Sequence, residues 1–296
     1  MQIGELEIHL FTDGITHVDA GGPFGLVPRA LYEKYFEPDP LNRVPMTLIS
    51  MVIRSRGKTI LVDTGLGTKL NPREIEFWRL ERPGGGLVRE LASKGIFPED
   101  VDIVVNTHLH SDHCGGNTIR IGDRIRATFP NATYLVQRME WADFANPDPR
   151  TRGTYLDENF TPLLETGQVR LLHGGTALSE EVQCVVTPGH TRGHQSVLLK
   201  SGDWRGLFVG DLASYSILMS RTSWLTAYDV DPLENLSTKQ IWQEWALEND
   251  AWLFFPHDPT MPVARLRNDN GRLGLDAVEE AQELIAFAPI RRQPGG

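Results

Sequence analysis

Residues 106–117 read NTHLHSDHCGGN and place three histidines and one aspartate within six positions, in a chain that has only nine histidines. His108 and His110 are two apart and face the same side of an extended segment, while Asp112 and His113 follow at a turn that the next two glycines favour. Four titratable groups this close together are costly to bury, whereas a divalent cation stabilises neutral imidazoles and a carboxylate together. The segment therefore predicts a metal site.

More candidate ligands end other short apolar runs, which are rich in Val, Ile, Leu and Phe. The five runs are TILVDTG (59–65), VDIVVNTHLH (101–110), VQCVVTPGH (182–190), LFVGD (207–211) and WLFFPHD (252–258). Each predicts a buried strand, and open α/β sheets gather ligands at the carboxyl ends of their strands. We therefore expect one edge of the sheets to collect Asp63, His108, His110, His190, Asp211 and His257.

Segments between the strands predict helices. Residues 86–95 form a helical pattern that stops at a glycine, and segments 237–250 and 276–287 each open with capping-box spacing. Residues 146–162, NPDPRTRGTYLDENFTP, predict a long surface loop. The interleaving of strands and helices predicts an α/β protein, and with no repeat or long linker we expect one domain over residues 1–296.

The composition limits the classes of partner. Lys and Arg total 29 against 39 Asp and Glu, a net charge of −10, and no long basic run is present, so nucleic acid is an unfavourable partner. The first residues lack the basic and apolar regions of a signal peptide, and no apolar run is long enough to span a bilayer. Two cysteines, Cys114 and Cys184, fit a reducing compartment. We expect a cytoplasmic protein without membrane or nucleic-acid partners.

The motif THLHSDHCGG resembles the His-x-His-x-Asp-His motif of the metallo-β-lactamase superfamily. ILVDTG, TPGHTRGHQS, FVGD and FPHD are similar to the other motifs of that superfamily, so that the resemblance covers about residues 45–260. It implies an αββα sandwich of two similar halves with a binuclear metal site at one edge of the sheets.

The resemblance also implies a role for each residue. One metal would be held by His108, His110 and His190, the other by Asp112, His113 and His257, and Asp211 would bridge the two. Nitrogen and carboxylate ligands without a thiolate favour two Zn²⁺ ions, although Fe, Mn or Co suit them too. Around the ligands, Asp63 is expected either to accept a hydrogen bond from a ligand histidine or to cap the turn at Gly65, and His194 is expected to be structural or to support a ligand.

Two such cations would lower the pKa of a shared water enough to supply a bridging hydroxide near neutral pH. In the family the position of Asp112 orients this nucleophile or shuttles its proton. Tyr215 lies four positions after Asp211, near where lactonases of the fold carry a tyrosine that hydrogen-bonds the substrate oxygen. It is therefore either a catalytic donor to the oxyanion or a core tyrosine.

The departures from the family pattern narrow the reaction. Many β-lactamases of the fold lack an aspartate at position 211, and flavodiiron-type members carry glutamate at position 110, so this chain fits neither pattern. Ribonuclease-type members need a surface that binds RNA, which the acidic composition disfavours. Three groups remain: lactone and organophosphate hydrolases, glyoxalase II-like thioesterases, and mononuclear-iron sulfur dioxygenases.

Residues 19–55 are similar to the N-terminal region of a branch that contains acyl-homoserine-lactone lactonases and methyl-parathion-hydrolase-like enzymes. This implies that segment 19–45 overhangs the metals. Six apolar or aromatic side chains are expected either to pack in the core or to line an apolar substrate pocket: Phe24, Leu26, Tyr35, Phe36, Met219 and Trp224. The predicted function is hydrolysis of small hydrophobic lactones or esters, with phosphotriester cleavage as a side activity and a homodimer as a candidate assembly. The alternatives are a thioesterase, whose basic residues would be Arg192, Arg221 and Arg265, and a low-turnover regulatory or ligand-binding module.

Overall fold

A computed structural model describes residues 1–287, and the remaining residues of the predicted domain, 288–296, lie outside the described part. The strands in the described part are, in chain order, β1 (Gln2–Ile3), β2 (Leu6–Asp19), β3 (Arg43–Ser55), β4 (Lys58–Val62), β5 (Ile103–Val105), β6 (Thr118–Ile121), β7 (Arg124–Ala127), β8 (Thr133–Gln137), β9 (Val169–Leu172), β10 (Thr176–Ala177), β11 (Val182–Val186), β12 (Gln195–Ser201), β13 (Trp204–Phe208), β14 (Trp252–Phe254), β15 (Val263–Asp269) and β16 (Arg272–Ala277).

The α-helices of the same residues are mostly short. They are α1 (Gly21–Phe24), α2 (Arg29–Tyr32), α3 (Pro72–Trp78), α4 (Leu87–Ser93), α5 (Ser111–Cys114), α6 (Arg138–Ala145), α7 (Thr161–Glu165), α8 (Ser216–Ser220) and α9 (Pro232–Glu248). Single turns of 3₁₀ helix occur at Pro98–Asp100, Gly115–Asn117, Asp157–Asn159, Gly210–Leu212 and Glu279–Leu284. None of the helices within residues 1–287 is both long and apolar enough to cross a membrane.

Two large sheets carry the fold. The first has the order β1-β2-β3-β4-β5-β8-β9 and the second the order β10-β11-β12-β13-β14-β15-β16, while β6 and β7 form a separate hairpin. The pairs β4–β5, β5–β8 and β8–β9 are parallel in the first sheet, and the pair β13–β14 is parallel in the second. Parallel neighbours need long crossover connections. The segments that leave the carboxyl ends of β4, β5, β11, β13 and β14 are such connections or turns, and the candidate ligands and Asp63 lie there.

The two sheets pack face to face and helices cover both outer faces. On β3, Met51 and Ile53 point into the core between the sheets, whereas Val52 points toward the helices on the outside, as the alternation of a strand requires. Leu91 of α4 belongs to that outer layer, and Ala246 of α9 to the layer on the second sheet. These layers confirm the predicted αββα sandwich.

Each of the five predicted strands is present, although each ends earlier than the apolar run does. Strand β5 covers only Ile103–Val105, and the histidine-bearing residues that follow have left the sheet. The helix predicted over residues 86–95 is α4, and the helix predicted to open at Ser237 begins earlier, at Pro232, where Asp231 accepts a hydrogen bond from the backbone N–H of Glu234 (3.0 Å).

The prediction of a helix over residues 276–287 is wrong. Residues 272–277 form strand β16, which pairs with β15 through a tight turn at Asn270 and Gly271, both with positive φ (54° and 88°). Such turns match the twist of a hairpin, and they favour Asn-Gly. Only a 3₁₀ helix, Glu279–Leu284, follows. The capping-box spacing is a short-range preference, and pairing with the edge of the second sheet outweighs it.

Candidate metal centre

The histidine-rich segment crosses from the end of β5 into helix α5 at the edge shared by the two sheets. Its two glycines allow a close approach to the loop after β4, since a Cβ on Gly115 would lie 2.3 Å from the carbonyl oxygen of Leu66, and one on Gly116 2.1 Å from that of Thr64. The backbone N–H of Thr64 also donates to the carbonyl of His113 (2.8 Å). The glycines thus hold the two loops against each other and place the histidines beside the end of β4.

Three imidazoles form one group of possible metal donors. Nitrogen atoms of His108, His110 and His190 all lie within 4.8 Å of one another, and the three side chains are buried. Nε2 of His190 lies 3.1 Å from Nδ1 of His110. The group joins the loop after β5 to the loop after β11, so it spans the two sheets.

A second group lies next to the first. It consists of Asp112, His113 and His257, whose donor atoms also fall within 4.8 Å of one another. Nε2 of His257 lies 3.0 Å from Nε2 of His113, and Oδ2 of Asp112 lies 3.6 Å from Nε2 of His257. This group again takes residues from both sheets, because His257 follows β14.

Asp211 lies between the two groups. Its Oδ2 is 3.4 Å from Nε2 of His190 in the first group, and its Oδ1 is 3.2 Å from Nε2 of His257 and 3.5 Å from Nε2 of His113 in the second. A carboxylate with one oxygen directed at each group has the geometry of a bridging ligand.

The donor atoms fit a metal better than they fit a hydrogen-bonded network. Nε2 of His108, Nε2 of His110 and Oδ1 of Asp211 are buried and have no hydrogen-bond partner among the described residues. Buried polar atoms are rarely left unpaired, because each costs free energy. The nitrogen and oxygen donors match the preferences of Zn²⁺ and similar divalent ions.

Three of the imidazoles each have a hydrogen-bond partner on the side of the ring that faces away from the cluster. Nδ1 of His257 donates to the carbonyl of Thr47 (2.7 Å), which can only accept, and its Nε2 is therefore left with a lone pair toward the cluster. Nδ1 of His113 lies 2.8 Å from Oδ2 of Asp63, and Nδ1 of His190 lies 3.0 Å from Oδ1 of Asp229. Partners of this kind orient ligand histidines and select their tautomer.

Asp63 occupies the left-handed backbone region (φ 56°), which aspartate tolerates better than most residues. Its carboxylate accepts from the backbone N–H and the hydroxyl of Thr107 (2.7 and 2.8 Å) in addition to its contact with His113. The residue thus connects the end of β4 to both ends of the histidine motif.

His194 faces away from both donor groups. Its Nε2 accepts the backbone N–H of Asp211 (2.9 Å), and its Nδ1 donates to the carbonyl of Thr187 (3.0 Å). Both nitrogens are used, so no lone pair is left for a metal. Burial and the charge of His190 lower the pKa of His194 to about 3, which keeps the ring neutral. Gly210, with φ 58°, leaves the space for this ring, because a Cβ there would lie 2.5 Å from Nε2 of His194.

The electrostatics of the cluster differ between its members. Although burial opposes it, the carboxylate of Asp211 raises the pKa values of His113 and His190, so a cation would have to displace a proton from these two imidazoles. His108 and Asp211 are already in the form that binds a cation. Burial and the neighbouring His113 hold the pKa of His108 well below its usual value, so this imidazole is neutral at pH 7. Burial by itself would raise the pKa of Asp211, but the imidazoles of His257 and His113 hold it well below its usual range. Neutral imidazoles and an ionised carboxylate are the forms that coordinate a metal.

A cavity of about 750 Å³ opens onto the cluster. Its floor carries two members of each donor group, and its walls include Met46, Phe77, Trp78, Tyr215 and Tyr228. The members of the donor groups are His110, His190, Asp112 and His257. Segment 19–45 contributes to the walls, but through Asp19, Pro23, Leu41 and Arg43 and not through the residues that the sequence suggested.

The six predicted pocket residues do not line this cavity, and the prediction is corrected here. Phe24, Phe36 and Met219 are buried in the core behind Tyr215, where Phe24 stacks on Tyr32 (ring centroids 4.7 Å apart). Tyr35 accepts a hydrogen bond from Arg221 (3.0 Å). A separate cavity is lined by Leu26 and Trp224. Short helices α1 and α2 turn the aromatic side chains inward, an orientation that residue type alone does not specify.

Tyr215 lines the cavity and is fully buried. Its hydroxyl donates to the carbonyl of Pro45 (3.0 Å), and burial raises its pKa well above the usual value, so the phenol keeps its proton. A tyrosine has one hydroxyl proton, and this one could reach a substrate oxygen only if the bond to Pro45 were released.

The basic residues suggested for a thioesterase lie elsewhere. Arg192 pairs with Asp143, Arg221 donates to Tyr35, and Arg265 lies over the ring of Trp252 (5.5 Å to its centroid). The arginines on the walls of the cavity are instead Arg43 and Arg150.

Several site residues escaped the sequence analysis. Glu140 is buried on α6 and accepts from the backbone N–H of Leu109 (2.9 Å), from the hydroxyl of Thr191 and from that of Tyr155 (3.1 Å). It thereby ties the His108–His110 segment to the loop that carries His190. Asp229, which holds His190, is still farther along the chain from the histidine motif. No local pattern marks either residue. The predicted surface loop 146–162 also contributes to the cavity, through Arg150, Thr151, Gly153 and Thr154.

Comparison with known proteins gives consistent matches. Residues 50–257 match the family model of the metallo-beta-lactamase superfamily. The N-acyl homoserine lactonase AttM of Agrobacterium fabrum is 30% identical over 190 residues, which cover 62% of this chain and 68% of that lactonase. A probable metal-dependent hydrolase from Staphylococcus aureus has a similar structure, with a TM-score of 0.86 at 25% identity over 94% of this chain and 99% of that chain. AidC, a dizinc quorum-quenching lactonase, shares the fold, with a TM-score of 0.79 at 19% identity over 94% of this chain and 96% of that chain.

Proposed function

The chain belongs to the metallo-beta-lactamase superfamily and is a metal-dependent hydrolase related to N-acyl homoserine lactonases, and from this premise we propose that it opens the lactone ring of acyl homoserine lactones. One observation carries the proposal. Two groups of three donors, with Asp211 between them, lie at the floor of a cavity whose walls are largely apolar, and two members of each group line it. A polar reacting ring and an apolar acyl chain match these two parts of the cavity.

We propose that the site holds two divalent ions, most favourably zinc. His108, His110 and His190 would hold one, Asp112, His113 and His257 the other, and Asp211 would contact both. When bound, such ions supply a hydroxide near neutral pH and polarise the carbonyl group under attack. The unpaired buried Nε2 of His108 and Oδ1 of Asp211 support this assignment, since a cation would satisfy them.

The chain's own residues then orient the reactants. The side chain of Asp112 is only 14% exposed, at the point where the cavity meets the second group, and we propose that it takes or returns a proton during ring opening. Asp63 would hold the ring of His113 in place, and His194 would hold the backbone of Asp211. We keep Tyr215 as the proposed donor to the oxygen on which negative charge develops.

A phosphotriesterase side activity is proposed as well. Phosphotriesters, like lactones, combine an electrophilic centre with an uncharged, largely apolar periphery, so the same cavity suits both. The cavity volume of about 750 Å³ leaves room for an aryl group beside Phe77 and Trp78.

The thioesterase is the second candidate. Arg192 and Arg221 are engaged away from the cavity, but Arg43 and Arg150 line it, and Arg43 is already paired with Asp39 (2.6 Å). A glutathione-like anion would therefore have to rely on Arg150. A low-turnover binding module is less favoured, because all seven proposed ligands are present and assembled.

Proton release by the zinc-loaded protein, measured with a long-chain acyl homoserine lactone, tests the proposal. Chelated protein is the blank, and Asp211→Ala is a matched variant that we expect to bind less metal by elemental analysis and to release no acid. Acid production that requires metal would establish a lactonase. No release from fully metallated protein would count against lactones and bring forward thioesters, phosphotriesters and persulfides.

A further inference from the structure

A second cavity lies beside the one that contains the metal cluster. Its volume is about 510 Å³. The side chains that line it are mainly apolar: Leu26, Val27, Pro28, Trp224, Leu225 and Pro232. We call this cavity the distal groove. The mechanism proposed above makes no use of it.

Two residues separate the distal groove from the cavity over the metal cluster. Arg150 and Ala227 line both, and the guanidinium of Arg150 donates a hydrogen bond to the carbonyl of Ala227. Each side of this contact is anchored. The carboxylate of Asp148 accepts the backbone N–H of Arg150 (2.6 Å), and the backbone N–H of Ala227 donates to the carbonyl of Gly22 (2.8 Å). The two cavities are therefore separated by the side chain of Arg150, which spans the gap between its own anchored backbone and that of Ala227.

This partition is weakly held. Arg150 is exposed, and among residues 1–287 no carboxylate forms an ion pair with it. An exposed hydrogen bond to a neutral carbonyl adds little net free energy, because water replaces either partner. The guanidinium can therefore swing out into solvent at low cost, and the two cavities would then be continuous.

The distal groove also presents apolar surface without a cover. The side chain of Leu26 is fully exposed, and Trp224 is only half-buried. Covering such side chains with another apolar group is favourable in proportion to the area removed from water. An unbranched alkyl chain that leaves the first cavity at Ala227 would cover them without needing any polar partner.

We propose that the distal groove is the subsite for the far end of a long acyl chain and that Arg150 is the gate through which this chain passes. The inference rests on the proposed lactonase function and deepens it, because it names the feature that sets acyl-chain preference. Short acyl chains end within the first cavity and do not meet the gate, so Arg150 discriminates by length alone.

The test compares N-butanoyl with N-dodecanoyl homoserine lactone on zinc-loaded wild-type protein and on Arg150→Ala. We expect the variant to lower the KM for the dodecanoyl substrate by roughly fivefold. In the wild type a long chain must break the hydrogen bond from Arg150 to Ala227, and in the variant this free-energy cost is absent. The readout is the ratio of the two KM values, because a general effect of Arg150 on the cavity that it lines would change both KM values alike, whereas loss of the gate lowers only the dodecanoyl value. Arg152→Ala removes an exposed arginine of the same turn and should change nothing.

A second variant tests the groove without touching the gate. Leu26→Asp places a charge on a fully exposed position, so folding should be unaffected, and we expect a KM several-fold higher for the dodecanoyl substrate only. Equal changes for both chain lengths, or an unchanged ratio of the two KM values in both variants, would overturn the proposal.

Failure of the proposed function would look different, since the wild-type protein would then hydrolyse neither lactone. The subsite would still be tested by calorimetric titration with ring-opened N-dodecanoyl homoserine, which needs no turnover. Weaker binding to Leu26→Asp than to wild type would support the groove as an acyl subsite, and equal binding would refute it.

Discussion

At the scale of single residues, the candidate metal centre depends on atoms that face away from it. The imidazoles of His113, His190 and His257 each direct one nitrogen at the cluster because the other nitrogen meets a fixed acceptor, namely Asp63, Asp229 or the carbonyl of Thr47. The rings are thus oriented before any ion arrives. Such preorganisation raises metal affinity, because less side-chain freedom is lost on binding.

The hydroxyl of Tyr215 provides a test at this scale. If it donates to the substrate oxygen during ring opening, Tyr215→Phe should slow the chemical step roughly tenfold or more in single-turnover measurements. Tyr134→Phe is the matched control, since Tyr134 is also a buried tyrosine that donates to a backbone carbonyl (Asn117, 3.0 Å) but lies away from the cavity. If both variants lose only stability, Tyr215 is a core tyrosine bonded to Pro45.

At the scale of secondary-structure elements, the loops after β5 and β11 are held together by helix α6. Glu140 on this helix accepts hydrogen bonds from both loops and from Tyr155. Burial raises the pKa of this carboxyl. A buried carboxyl group costs free energy unless its oxygens are hydrogen-bonded. The position of Glu140 is therefore set by its three donors, the backbone of Leu109 and the hydroxyls of Thr191 and Tyr155.

Glu140→Gln should therefore loosen the first donor group. An amide has one acceptor oxygen instead of two, so either the bond from Thr191 or the bonds from Leu109 and Tyr155 must be lost. We expect a loss of about 2 kcal/mol in the free energy of unfolding, measured by urea denaturation, and roughly tenfold weaker zinc binding. Glu244→Gln on the exposed face of α9 is the control. Unchanged zinc affinity in Glu140→Gln would show that α6 does not position the ligands.

At the scale of the whole molecule, the two sheets are joined at both ends. The metal cluster joins them at the carboxyl ends of β5, β11, β13 and β14. At the opposite end, Arg56 in the turn between β3 and β4 donates to Glu181, which precedes β11 (2.7 Å). Ser55 adds a hydrogen bond to the same carboxylate (2.8 Å). Ligands drawn from both sheets support our proposal that residues 1–296 act as one domain, and a homodimer and a cytoplasmic location stay predictions.

The link at Glu181 should make stability depend on pH. Its hydrogen bonds from Arg56 lower the pKa of Glu181 from the usual 4.5 to about 2. Because the pKa is depressed in the folded state, the contribution to stability is complete above pH 4.5 and is lost as the pH falls toward about 2. Glu181→Gln should lack this part of the acid dependence.

Urea midpoints measured across this pH range on the wild type and Glu181→Gln would reveal the difference. The histidine cluster titrates alike in both proteins, so subtraction of the two curves isolates Glu181. Glu180→Gln removes a second ion pair of Arg56 (2.6 Å), but the side chain of Glu180 is 80% exposed, so this variant should follow the wild type. Parallel curves for Glu181→Gln and the wild type would mean that the link contributes nothing.

From the sequence by itself, residue patterns determined an α/β protein and the residues that converge on the candidate metal centre, and the resemblance of its motifs to the metallo-β-lactamase superfamily implied the αββα sandwich. Strands such as β5 are marked by runs of Val and Ile, and the residues that follow a buried strand must leave the sheet at its end. His108, His110 and Asp211 are close to such strand ends, so short-range patterns were enough to bring them together. The predicted helix at 276–287 failed because its first residues belong to the hairpin that β16 forms with β15 at the edge of the second sheet.

Only the tertiary structure decided the walls of the cavity and the outer partners of the ligands. Phe24 and Leu26 are two residues apart and equally apolar, yet one is buried in the core and the other is fully exposed. Asp229, Glu140 and Arg150 likewise come from helices and loops whose orientation is set by long-range packing. A side chain's direction in an irregular segment depends on which distant surfaces meet it, and no periodicity in the chain records that.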